Sequence, residues 1–440
     1  MMSTFRQPLV AAALLALAGC GVFKGAPKKT PTVGNRVPIL VSENAIAADP
    51  SIAAVQIVLP AATTNDSWTQ SGGNAAKSLG QLTLGDAPAR VWTAAIDGGS
   101  DRARLAATPV VADGKLFVVD VDAVVYAFDA ATGAALWSTP LAEGKKGRPS
   151  RFGGGASYDD GKVYATDGLG DVAALTAADG KQLWKVHPGG PLRGSPTIAN
   201  GVVYVLSQDN QLFALNQADG SVSWTTQGTA ENQGVFGVAA PAAAQGSVIA
   251  GFSSGELNAY RYENGRVLWQ DALSRTSIST SVSSVSDVDA DPVVDSGRVY
   301  AVGQGGRMVA LELGTGQRLW EQNIAGISTP WLAGEWLFVA TDDARLICLS
   351  RTSGKARWIA QLPHFANEKK KRGPILWYGP VLAGNRLILT NSRGQIAYVS
   401  PTDGKLGTVV DGKTPFTLPP IVANATIYTL DQKGRITAYK

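Results

Sequence analysis

Few side chains in this sequence have the type and spacing to do chemistry. The clearest set is acidic: Asp287, Asp289 and Asp291 alternate through Ser286-Asp287-Val288-Asp289-Ala290-Asp291. Carboxylates two apart on an extended chain project to the same side. There Asp287 and Asp289 are suited to accept charge-assisted hydrogen bonds from Arg, Lys or backbone N–H groups of a partner. The competing reading is that they form Asx turns that order their own loop. The two histidines, His187 and His364, lie far apart with no acidic or Cys neighbour at metal-ligand spacing. No Ser-His-Asp arrangement or phosphate-binding loop is legible. The chemistry on offer is that of binding, and no catalytic residue, cofactor or metal is expected.

The two cysteines have separate jobs. Cys20 follows Leu17-Ala18-Gly19, behind Arg6 and an apolar stretch at 9–17 that is too short to span a membrane. This arrangement resembles the bacterial lipobox, in which the Cys becomes the lipidated first residue of the mature chain. An ordinary secretory signal with an incidental Cys is the alternative. Gly21 after the Cys, by resemblance to known lipoprotein sorting, implies the outer membrane, so the expected product is a lipid-anchored protein facing the periplasm. Cys348 occupies a register filled elsewhere by Ala127, Ala214 and Ala310, which reads as a small buried position and not half of a disulfide.

The elements that must position these residues come from a repeat. From about residue 108 to 440 one phrase recurs, as in Thr108-Pro109-Val110-Val111, a turn at Asp113-Gly114, then Leu116-Phe117-Val118-Val119. Val125-Tyr126-Ala127-Phe128, a turn at Thr132-Gly133 and the Trp-bearing Leu136-Trp137 complete it. Four short strands per roughly 40–50 residues indicate a β-propeller blade. The Trp register continues through Trp184, Trp224, Trp269, Trp320 and Trp358, while the seventh copy carries Thr408. The eighth copy ends at Lys440 without a fourth strand, and Arg90-Val91-Trp92-Thr93-Ala94 is an orphan Trp strand near the other end. A ring closed by that strand leaves no unpaired edge. The expected fold is therefore all-β, an eight-bladed propeller over residues 89–440, with seven blades as the alternative. Residues 1–19 read as a signal peptide and 20–88 as a lipidated tether and lead-in, flexible at 26–38, with 40–60 either docked on a blade or mobile.

Charge excludes one class of partner. The formal net charge is +4, and removal of residues 1–19 takes away only Arg6 and no acid, which leaves +3. That is too little to argue for nucleic-acid binding. The connections between blades vary in length, which marks them as the place to meet partners. The segments at 143–155, 227–237, 271–291 and 363–377 are the long ones, the last carrying Lys369, Lys370, Lys371 and Arg372. Trp377 and Tyr378 are expected near an exposed rim.

The repeat resembles the pyrroloquinoline-quinone-type propeller, through Phe213-Ala214-Leu215-Asn216 with Gly220 and Trp224, and Val309-Ala310-Leu311-Glu312 with Gly316 and Trp320. With the lipobox, tether and eight repeats, the whole chain resembles the BamB family, lipoprotein subunits of the outer-membrane β-barrel assembly machinery. That resemblance implies a non-enzymatic scaffold that binds a BamA-like barrel-inserting subunit and supports unfolded outer-membrane clients. It implies partner contacts at Asp287, Val288 and Asp289. It also implies a second contact at Val235 and Phe236, where Phe236 stands in place of the Arg of a family Leu-Arg-Gly stretch. Quinoprotein dehydrogenases share the fold, with a quinone and Ca²⁺ on the axis, but the chain lacks their adjacent Cys pair and is shorter. Another periplasmic binding propeller is the remaining alternative.

Overall fold

A computed structural model describes residues 46–100, 102–141, 153–230, 237–273 and 287–440. Eight four-stranded antiparallel sheets succeed one another along the chain as blades. Blade 1 runs through Val110–Ala112, Lys115–Val119, Val124–Asp129 and Ala135–Pro140. Blades 2 to 7 begin at Gly154–Asp159, Thr197–Ala199, Ala242–Ala244, Val293–Asp295, Trp331–Ala333 and Trp377–Ala383. Blade 8 takes Ile421–Ala423, Thr426–Leu430 and Arg435–Tyr439 from the C-terminus and its fourth strand, Arg90–Ala95, from the N-terminal side. Eight blades and closure by the Trp92 strand agree with the repeat. Between blades 6 and 7 the chain adds a two-stranded hairpin, Phe365–Asn367 with Arg372–Pro374, where only a loop was expected.

The Trp register is the mortar between blades. Each of the seven indoles donates its Nε1–H to a carbonyl of the next blade. Trp92 reaches Ala130 at 3.1 Å, Trp137 reaches Ala177 at 3.2 Å, and Trp269 reaches Leu313 at 2.7 Å. The indole lies against the Gly that ends that blade's third turn. A Cβ on Gly133 would stand 2.5 Å from the Trp92 ring, and its φ of +74° is one that only Gly adopts without strain. The repeated turn glycine thus both turns the chain and makes room for the neighbour's indole. Cys348 is wholly buried in the third strand of blade 6, and burial pushes its thiol pKa up. Trp377 departs from expectation: it is buried, with its Nε1–H donated to the Pro363 carbonyl at 2.9 Å.

The lead-in is docked, and it is more ordered than its composition suggests. Asp49 caps a short 3₁₀ turn, Pro50–Ile52, and pairs with Lys355 at the edge of blade 6. Residues 63–83 then make one complete circuit of the ring, bonding the first strand of every blade in turn. Asn65 exchanges bonds with Val422 and Asn424 of blade 8, and Trp68 with Val111 of blade 1. Thr69 accepts from Tyr158 of blade 2, and the Gln70 amide bonds both backbone groups of Ile198 in blade 3. Ala75 and Ala76 accept from Ala243 and Val294 of blades 4 and 5. Gly80 accepts the Trp331 indole of blade 6, and Leu82 pairs with Leu382 and Gly384 of blade 7. The circuit closes on itself where Thr63 bonds Gln81 and Thr83 at 2.9 Å each. The inner edges of the first strands would otherwise leave N–H groups without partners, and the hoop supplies them.

Candidate functional site

The acidic segment lies just before the first strand of blade 5, wedged between two neighbouring turns. Val288 donates its N–H to Phe252 of blade 4, and the Asp287 carbonyl accepts from Gln304 of blade 5. Val288 is wholly buried against Gly251, where a Cβ would meet its side chain at 2.4 Å. This packing fixes the direction of the three carboxylates.

All three point into the protein. Asp287 is 1% exposed and accepts from Arg193 Nη2 at 2.7 Å; Arg193 is itself 1% exposed. Asp289 lies 3.8 Å from the same guanidinium nitrogen and accepts the Val238 N–H at 2.5 Å, with 12% of its side chain exposed. Asp291 accepts from the Ala240 N–H at 2.8 Å and from the Ser71 hydroxyl of the hoop at 2.5 Å. Asp287 and Asp289 do act from one side of the chain, but their nearest cation is this chain's own Arg193. The expectation that the Asp287 carboxylate stands free for a partner's Arg or Lys is therefore corrected: burial and the Arg193 pair take it out of solvent.

Arg193 is the residue that sequence reasoning missed. It arrives from the segment before blade 3 and also donates to the Gly251 carbonyl at 3.3 Å. Gly237 lines its cradle so closely that a Cβ there would stand 1.5 Å from Nη2. The signal was present: Leu192-Arg193-Gly194 is itself a Leu-Arg-Gly stretch. It stands beside 235–237, which carries Phe236 in place of Arg, as a second segment of that kind. Val235 and Phe236 lie outside the described residues, as do Cys20 and most of the long connections at 142–152, 231–236 and 274–286.

The electrostatics follow from burial. Desolvation raises the Asp289 carboxyl to about 7, with the charge of Arg193 opposing the rise and that of Asp287 adding to it. Lys77 of the hoop is 2% exposed, bonds Thr197 Oγ1 at 3.2 Å, and is lowered to about 8 by burial, with Asp291 opposing. Three carboxylates and two cations thus tie blades 3, 4 and 5 to the hoop. An axial cavity of about 140 Å³ lies beside them, walled by Asp289, Asp291, Lys77, Trp68, Trp331 and Tyr378. Elsewhere His187 pairs with Asp171 at 2.9 Å, a contact not visible in the sequence. Among the described residues no group of three or more His, Cys, Asp or Glu is placed to hold a metal ion.

Comparison with known proteins assigns the chain to a family. The family model described as outer membrane protein assembly factor BamB matches residues 88–148 and 121–360. The chain belongs to the BamB family. BamB of Yersinia pestis is 27% identical over 359 residues, covering 80% of this chain and 88% of that one. BamB of Vibrio cholerae is 38% identical over 256 residues, 58% of this chain and 65% of the relative. The crystal structure of BamB from Moraxella catarrhalis superposes with a TM-score of 0.68 at 17% identity, over 80% of this chain and 99% of that one. The fold is shared more widely: quinohemoprotein alcohol dehydrogenase from Comamonas testosteroni superposes with a TM-score of 0.66 at 13% identity, over 86% and 81% of the two chains. The BamB family match begins at residue 88, so the hoop lies outside it.

Proposed function

We propose that this chain is a non-enzymatic scaffold lipoprotein of the outer-membrane β-barrel assembly machinery, anchored through Cys20 with its propeller in the periplasm. The observation that carries the proposal is the family match across residues 88–360, whose members are named for the assembly of outer membrane proteins. Relatives named for assembly and not for a reaction support a role without catalysis. The partner is a BamA-like barrel-inserting subunit.

Its docking surface is the face formed by the connections before blades 3, 4 and 5. The buried Arg193–Asp287 pair sets the shape of that face, and Asp289 is the carboxylate of the pair's surroundings with some solvent exposure. Phe236 and Val235 supply apolar contact. Truncating a hot-spot side chain at the centre of an interface costs about 2 kcal/mol of binding or more.

The test is affinity capture from detergent-solubilised membranes with Phe236→Ala and Asp289→Asn. Both variants should fold and retain at least ~10-fold less of the barrel-inserting subunit. Undiminished capture by both would remove this face from the interface.

A further inference from the structure

The hairpin between blades 6 and 7 has features that partner docking on blades 3 to 5 does not use. Its strands, Phe365–Asn367 and Arg372–Pro374, pair through Phe365 with Pro374 and Asn367 with Arg372. Every residue from 366 to 374 is exposed. The base is held firmly: Ile375 donates to the His364 carbonyl at 2.8 Å, and the Trp377 indole donates to Pro363 at 2.9 Å.

Four consecutive cations, Lys369, Lys370, Lys371 and Arg372, occupy the turn and the start of the returning strand. None makes an ion pair among the described residues. The one carboxylate of the hairpin does not neutralise them. Glu368 turns back to the base, where one of its oxygens accepts the N–H groups of His364 and Phe365 at 2.9 Å each. Beside the cations stand apolar groups: Leu376 is 42% exposed, and Phe365, half-buried, stacks on His364 with centroids 4.2 Å apart.

We infer that this hairpin binds the anionic headgroup surface of a lipid bilayer. Three of the four cations are Lys, a compact hydrated charge without the planar fork that selects a particular protein carboxylate. Such charges are attracted to a charged plane without needing defined geometry, and adjoining apolar side chains suit the interfacial layer. The inference rests on the membrane-anchored reading in one respect. Chain length alone limits the reach of residues 20–45 to ~3.3 Å per residue, so anchorage at Cys20 keeps the propeller near the membrane and the hairpin at high effective concentration. The acyl chains retain the protein, and the hairpin sets which way the propeller faces.

The test uses Cys20→Ser protein, which lacks acyl chains, and vesicles of phosphatidylethanolamine with one-quarter phosphatidylglycerol against vesicles of phosphatidylcholine. The chain should co-sediment with the anionic vesicles in low salt and be released in 0.5 M salt. Replacing all four cations by Gln should lower that affinity by nearly three orders of magnitude, since each basic residue near an anionic surface is worth about fivefold. The variant should melt like its parent. Equal sedimentation with both vesicle types, or equal sedimentation of parent and variant, overturns the inference. So does loss of the barrel-inserting subunit from the Gln variant with no vesicle binding by the parent, which assigns the hairpin to an acidic protein surface. Because acylation is absent throughout, failure here leaves the Cys20 anchor untouched.

Discussion

The indole of Trp92 donates to the carbonyl of Ala130 at 3.1 Å, so a residue from the N-terminal side of the ring bonds blade 1 while its own strand completes blade 8. The same ring packs on Tyr428 with centroids 5.9 Å apart. One side chain therefore joins three pieces of chain at the seam.

Removing that join should be costly. Trp92→Ala should destabilise the protein by about 3–5 kcal/mol in urea unfolding, the usual range for deleting a buried Trp. Deletion of Arg90–Ala95 should be worse, exposing the edge of Arg435–Tyr439 and causing aggregation. A deletion protein that unfolds like its parent would show that the ring does not depend on this strand.

Breaking the buried ion pair should also be costly, contrary to what a surface carboxylate would give. Asp287→Ala leaves Arg193 buried without its partner, and such losses typically amount to ~3–5 kcal/mol. Arg193→Met combined with Asp287→Leu should recover much of the loss, because the uncompensated charge is gone. Chemical denaturation of the single and double variants checks this. A single Asp287→Ala protein with parental stability would mean that the pair is not formed.

Asp289 gives the site a pH signature. Its folded pKa, near 7, lies above the ordinary value of 3.8. Between these values the folded state holds a proton that the unfolded state has lost, so stability falls as pH rises from about 4 to 7. The contribution is fully present below pH 4 and gone above 7. Asp289→Asn should flatten this part of the stability profile. Buried Asp120 and Asp167, also raised by desolvation, keep a residual slope of the same sign. An unchanged slope in Asp289→Asn would remove the carboxyl as its source.

Cys20→Ser should leave the propeller intact and abolish acylation. Fractionation at high salt, after the protein partner has been removed, should find the variant in the soluble periplasmic fraction. Persistence in the outer membrane under those conditions would sink the lipobox assignment.

The blades were legible because each repeats one pattern of turn glycines and indoles, and the orphan Trp92 strand showed how the ring closes. The seventh register, Thr408, now has a physical reason. The indole of one blade needs the third-turn Gly of the next, and in blade 8 that junction consists of the separate ends Lys440 and Ala89, which bond each other instead. With no glycine turn to lie on, a Trp has nothing to pack against. The hoop was not legible, because its contacts are largely backbone groups spaced without period through a Gly-, Ser- and Asn-rich stretch. Nor was the Arg193–Asp287 pair, whose members are 94 residues apart and meet only because the ring brings blades 3 and 5 together at its axis.

The hoop changes what kind of object the ring is. Repeat arrays whose units touch only their neighbours gain and lose stability piecemeal. Here one short segment is in register with all eight blades, and its Asn65 contact spans 357 residues of sequence to Val422. It is synthesised before any blade, yet it can be seated only when the last one exists. Proper seating of residues 63–83 is therefore a report that the whole ring has been counted and none of its members is missing.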